Sequence, residues 1–166
     1  RQRQMCIRDS LSPVTTQPAL SSVAEQQGER RVFALYYAWF DLTTWQKPLS
    51  DQPLQPYHSA DASIIEQHVL QARRAGIDAL VQAWYGPDQA NNPTEDNFCT
   101  LLDKSLAHGM HAAISVDMGS SAFLQSVEAV LDALITLRDR HSYHAGYLRV
   151  NNRPVVFFWR QDNFSM

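Results

Sequence analysis

From Val32 onward the chain alternates between two regimes. Short unbroken apolar runs of strand length give way to stretches in which apolar residues recur every three or four positions. Val32-Phe33-Ala34-Leu35-Tyr36-Tyr37 is the first run, continuous enough for a strand covered on both faces. It ends in Ala38-Trp39-Phe40-Asp41. A long polar loop follows to Tyr57, where Pro48, Pro53 and Pro56 fix φ and exclude regular structure. Loops of this length in compact domains usually carry function. Asp61 reads as an N-cap, followed by Ile64, Ile65, His68, Val69, Ala72 and Ala75 on one helical face, with Gly76 as the stop. Ile77 to Ala83 is the second strand, closed by Trp84-Tyr85 and a Gly86-Pro87 break. Thr94 or Asn92 can cap a second helix with Phe98, Leu101, Leu102 and Leu106 inward; Gly109 ends it. Ala112 to Val116 is the third strand, finishing at Asp117. Gly119-Ser120-Ser121 is expected to open a third helix with Leu124, Val127, Val130, Leu131, Leu134 and Leu137 inward. Tyr147 to Val150, Asn151-Asn152 and Val155 to Trp159 read as a hairpin, because Asn-Asn suits the positive φ of a type I′ turn. Its second arm is the expected fourth parallel strand.

Two junctions share a layout of helix, glycine and buried strand: Ala75-Gly76-Ile77-Asp78-Ala79-Leu80-Val81 and His108-Gly109-Met110-His111-Ala112-Ala113-Ile114. The count is therefore (βα)3β, and right-handed crossovers curl such a chain in one sense. Half of an eight-stranded (β/α) barrel and a small doubly wound sheet both fit. The chain stops at Phe164-Ser165-Met166 just after a strand, which reads as a piece cut at both ends, truncated at the C-terminus. Residues 1–10 resemble translated sequencing-adapter read-through and are set aside. Residues 11–31, rich in Ser, Thr, Pro and Gln, read as a linker of the kind that separates a membrane or lipoprotein anchor from a secreted domain.

Composition narrows the function classes. The 166 residues are 45% hydrophobic and 19% charged, too apolar for disorder and ample for one core. A net charge of −3 and a pI near 6.0 point away from nucleic acid and anionic membranes. No apolar run is long enough for a transmembrane segment. Cys6 and Cys99 form neither a metal spacing nor a disulfide framework. The six histidines show no metal spacing, so neither metal nor cofactor is expected; His68 reads as a core or boundary histidine.

Three segments together resemble the glycoside hydrolase family 99-like proteins, the endo-α-mannosidase and WbsX-like group. The first is Tyr36-Tyr37-Ala38-Trp39-Phe40 with Trp45 and then Pro56-Tyr57-His58-Ser59. The second is Ala75 to Pro87, through Gly76-Ile77-Asp78-Ala79-Leu80-Val81-Gln82-Ala83-Trp84-Tyr85-Gly86. The third is Asn152-Arg153-Pro154-Val155-Val156-Phe157-Phe158-Trp159. The resemblance covers residues 32–166, about the first half of a family barrel. It implies a partial (β/α)8 TIM barrel, a glycosidase-like activity on polysaccharide or glycan, and catalytic glutamates on later strands in a Glu-x-x-Glu-like arrangement.

Glycoside hydrolysis needs two carboxyl groups across the scissile bond. Glu25 and Glu29 lie in the linker, and Glu66, Glu95 and Glu128 on helices away from strand ends, so the catalytic pair is expected outside this chain and the 166 residues alone are expected to be inactive. The strand ends supply substrate-binding candidates instead: Tyr37, Trp39, Trp45, Trp84, Tyr85, Asp117, Trp159 and Arg160. Sugar rings pack their C–H faces on aromatic planes and bond their hydroxyls to a polar rim. Each candidate has a competing structural role. Trp84 and Tyr85 can cap the core, Asp117 can cap the next helix, and Arg160 can pair with Asp162. Where the family carries an acidic residue at the end of strand three it is more often Glu, so Asp117 is a shorter substitute. Asp41, Asp88 and Asp162 lie past strand ends as turn-formers. A carbohydrate is the expected partner, and an extracellular or cell-surface-anchored location is expected; the oligomeric state is not legible. A non-catalytic glycan-binding barrel and a self-contained doubly wound domain with another ligand are the rival readings.

Overall fold

The computed structural model describes residues 30–88, 90, 92–119 and 123–160; the expected adapter-like start, nearly all of the expected linker, Ser120, Ser121 and Asp162 lie outside them. The elements run β1 (Phe33–Tyr36), α1 (Ala62–Arg74), β2 (Ala79–Trp84), α2 (Thr94–Ala107), β3 (His111–Asp117), α3 (Val127–Thr136), β4 (Arg149–Val150), β5 (Arg153–Pro154) and β6 (Val156–Trp159). One parallel sheet is ordered β1-β2-β3-β6.

That sheet is curled. Neighbouring strands sit about 4.8 Å apart, so the outer strands of a flat four-stranded sheet are separated by about 14 Å. Phe33 on β1 and Phe157 on β6 nevertheless meet edge to face with ring centroids 6.0 Å apart. They meet on the concave side, where Ala79, Val81, Ala113 and Leu148 form a small apolar layer with Val155 and Phe157. The convex side carries the larger core, in which Leu80, Trp84, Ile114 and Val116 pack against Ile65, Val69, Phe98 and Leu101 of the helices. The architecture is four strands of a (β/α)8 barrel, as the resemblance implied.

The shared junction is two copies of one helix stop. After α1, Gly76 takes φ +77°, its N–H reaches Arg73 O, and the Ile77 N–H reaches back to Ala72 O at 3.0 Å. After α2, Gly109 takes φ +67° and the Met110 N–H reaches Ser105 O at 2.8 Å. Both are Schellman closures, in which a left-handed residue lets the chain double back and cap the last carbonyls. A Cβ at either glycine would meet nothing within 4 Å, so the backbone angle, not crowding, requires glycine. Asp61 caps α1 by accepting the Ser63 N–H at 2.8 Å. Asp78 ties the next strand to β1: its carboxylate accepts the Val32 N–H at 2.6 Å and its own N–H donates to Val32 O.

Two expectations need correction. The third helix begins at Val127, capped by Ser126 accepting the Ala129 N–H, and not near Gly119. Leu124 has φ +50° and cannot be helical, while Val127 and Leu131 are exposed; Val130, Ala133, Leu134 and Leu137 form the inner face. A π-type turn over residues 137–141 prolongs α3, with the Ser142 N–H reaching Leu137 O. The hairpin is also shorter than expected. Tyr147 and Leu148 already run parallel to β3, since the Leu148 N–H donates to Ala112 O and the Ala112 N–H to Gly146 O. Only β4 and β5 pair antiparallel, across Asn151 and Asn152 at φ +50° and +59°. The Val155 N–H then returns to Leu148 O, and β6 resumes along β3. The fourth strand is thus one strand interrupted by a two-rung hairpin.

Candidate functional site

Side chains alternate across a strand, and the parallel register fixes which ones share a layer. Ala83 and Trp84 on β2 sit opposite Ser115 and Val116, and Asp117 sits opposite Trp159. Carried one residue past β2, the pattern puts Tyr85, Asp117 and Trp159 in one layer on the concave side of the strand mouths. Tyr37 and Trp39 follow β1 on the same side.

The rings there form a ladder. Trp39 stacks on Tyr85 at 5.4 Å and 22°, and Tyr85 stacks on Phe123 at 5.4 Å and 11°; Tyr37 leans on Trp39 at 4.8 Å. Burial chiefly, then the nearby charge of Asp117 and the Tyr37 hydroxyl, push the Tyr85 phenol up to about 12, so it keeps its proton. Asp117 turns one carboxylate oxygen to the Gly119 N–H at 2.9 Å. A Cβ at Gly119 would meet Arg160 Cγ and Asp117 Oδ1, both at 3.1 Å, so the stem of Arg160 lies over the glycine beside Asp117. Arg160 itself has φ +59°, a conformation that costs a non-glycine residue energy and that collects at functional sites. Trp159 is more than half exposed. The structure therefore brings Tyr37, Trp39, Tyr85, Asp117, Trp159 and Arg160 together. Phe123, which the sequence reading missed, completes the ladder; nothing in its local pattern marks it, because it stands in an irregular loop.

Trp84 and Trp45 do not belong to this surface. Trp84 has the opposite parity to Tyr85 and is fully buried on the convex side, its Nε1–H donating to Glu95 Oε2 at 2.8 Å. Trp45 knits the long loop to itself: its indole donates to Tyr57 O at 2.6 Å and packs on Phe40 and Tyr57. The loop closes where Ser59 and Phe40 exchange hydrogen bonds.

Glu95 lies on α2, away from the strand ends, as expected. It is buried there, with both oxygens 3.1 Å from His141 Nε2 and with Arg140 3.9 Å away. The π-type turn after α3 delivers His141 to it. Glu95, Cys99 and His141 bring side-chain heteroatoms within 4.8 Å of one another, but Cys99 is disulfide-bonded, contrary to the sequence expectation, and has no thiolate to offer a cation. His141 Nε2 faces the Glu95 carboxylate, while its buried Nδ1 has no hydrogen-bond partner among the described residues.

Against this geometry the family comparison is decisive: the profile of glycosyl hydrolase family 99 matches residues 51–166. The chain belongs to glycosyl hydrolase family 99. This family-99 chain is 25% identical over 114 residues to a glycoprotein endo-α-1,2-mannosidase of Xenopus laevis and 28% identical over 117 residues to that of Mus musculus. Each match covers 67% of this chain and 25% of the relative, so the chain spans about a quarter of the curated relatives' length. A solved GH99 endo-α-mannosidase of Bacteroides thetaiotaomicron superposes with a TM-score of 0.68 at 19% identity, covering 81% of this chain and 43% of that one. No helix among the described residues is long and apolar enough to cross a membrane.

Two histidines make the stability of the family-99 chain sensitive to mild acid. His68, whose Nδ1 lies 3.1 Å from the Tyr36 hydroxyl and whose ring meets Tyr57, has its pKa lowered by burial. His111 is lowered by burial first and then by Arg31 and Arg149. A depressed folded pKa means that the unfolded chain binds the proton more readily. Stability is therefore present above the ordinary histidine value of about 6.5 and is lost as pH falls through it, levelling off below the folded pKa. Urea midpoints at pH 7.5 and 5.5 are expected to fall with acid, and less so in His68→Gln. An acid-independent midpoint contradicts the assignment.

Proposed function

We propose that this chain forms one wall of the glycan cleft of a glycoside hydrolase acting on α-mannoside-containing glycans, with its acid and base carboxylates supplied by other parts of the whole protein. The ladder Trp39–Tyr85–Phe123 beside Asp117 carries the reading. Tyr85 has Trp39 on one face and Phe123 on the other, so the ladder offers its ring edges and outer rings to sugar C–H groups, and a carboxylate accepts hydroxyl protons beside them. The printed activity of the curated relatives supports the choice of mannoside. Hydrolysis needs two carboxyl groups at about 5–5.5 Å for retention or about 6.5–9.5 Å for inversion. Among the described carboxylates Asp117 alone ends a strand on the concave side; Glu66 is held by Lys104 and His108, and Glu95 is buried in the convex core. A linker-like start supports an extracellular or surface-anchored location for the whole protein.

The test compares the whole protein with residues 1–166 on an α-1,2-linked mannoside. The whole protein is expected to release product and the 166 residues none. Turnover by the shorter chain overturns the division of labour. Glycan binding without any turnover by the whole protein favours a non-catalytic relative.

A further inference from the structure

A cavity of about 400 Å³ opens between the start of the loop after β1 and the start of α2, lined by Trp39, Phe40, Asp41, His58, Asn92 and Asn97 among others. Its volume falls in the ~300–1,000 Å³ range of small-molecule sites. The walls are pinned. Asn97 Nδ2 donates to Ala38 O at 2.7 Å, the Phe40 N–H to Ser59 Oγ at 3.1 Å, and the Ser59 N–H to Phe40 O at 2.8 Å. Asn92 Nδ2 donates to Gly86 O and Asp88 O while its Oδ1 accepts from Thr94. The cavity is therefore preformed and does not depend on a ligand to order it.

Its polar groups are complementary to a pair of hydroxyls. Asp41 Oδ1 accepts from Thr43 Oγ1, Thr44 Oγ1 and the Thr44 N–H at 2.7, 2.9 and 2.8 Å. Those bonds, Thr43 foremost, hold its carboxyl down at about 2, so it stays an anion, and their convergence on Oδ1 leaves Oδ2 able to accept. His58 Nδ1 accepts the Ala60 N–H at 3.1 Å, so the neutral ring carries its proton on Nε2 and offers a donor. Trp39 supplies the apolar plane, and its contact with Tyr85 makes the cavity a neighbour of the strand-mouth ladder.

We infer that this cavity is a second sugar subsite, taking one neutral pyranose with its C–H face on Trp39 and adjacent hydroxyls between Asp41 and His58. The inference rests on the glycan reading of the cleft and extends it: the bound glycan carries a residue or branch past Trp39 toward α2. Binding of methyl α-mannoside to the full chain, followed by calorimetry or ligand-detected NMR, tests it. Tyr85→Ala, which removes the middle of the ladder, is expected to retain saturable binding through the cavity. Adding Asp41→Asn or His58→Gln is expected to weaken that residual binding about tenfold, as for loss of one hydrogen bond to a charged or buried partner. Either variant suffices if the other fails to fold, as judged by its thermal melt. Loss of all binding in Tyr85→Ala, with wild type still binding, overturns the second subsite and leaves the cleft reading intact. Residual binding unchanged by a folded cavity variant also overturns it. No binding by wild type removes both readings.

Discussion

Trp84→Ala is expected to lower the unfolding free energy by about 3–5 kcal/mol, the range for removing a buried large aromatic. The ring has no exposed surface and sits among the convex-side core residues. Its loss opens a cavity between β2 and the helices. It also deprives Glu95 of the indole donor at 2.8 Å, and a buried carboxylate left short of partners adds its own cost. Trp84→Phe separates the two contributions: most of the ring remains and the donor goes, so a loss of about 1–3 kcal/mol is expected. Urea unfolding followed by circular dichroism reads both. A Trp84→Ala midpoint within about 1 kcal/mol of wild type is incompatible with a core role.

Tyr85→Ala is expected to do the reverse. The ring is only partly buried and belongs to the open ladder, so stability should change little. Glycan turnover by the whole protein should drop about 30-fold in kcat/KM, corresponding to about 2 kcal/mol for a binding hot spot. Tyr85→Phe keeps both stacking contacts and loses the hydroxyl near Asp117, and should recover most of the loss. Activity of Tyr85→Ala within threefold of wild type would remove the ladder from the binding wall. Two adjacent residues thus carry opposite expectations, one on folding and one on function, because a strand sends neighbours to opposite faces.

That contrast shows what the sequence exposed. The glycine stops, the Asp61 cap, the four parallel strands and the Asn-Asn turn are local signals, each set by backbone chemistry within a few residues, and all were readable. The placement of Trp84 was also within reach: alternation along Ala79 to Tyr85 already forbids both aromatics from facing the cleft. Phe123, Glu95 and His141 were different. Glu95 meets His141 across 46 positions, through a π-type turn that no periodicity announces, and Phe123 enters the ladder from an irregular loop. The third helix was misplaced because apolar spacing alone does not reveal that Leu124 takes a left-handed φ.

Phe33 and Phe157 lie 124 positions apart in the sequence, yet their contact closes across the concave face of only four strands. Curvature is thus established by packing within this part of the barrel and does not wait for the ring of strands to join. These four strands carry, in side chains of their own, the packing that bends them into an arc.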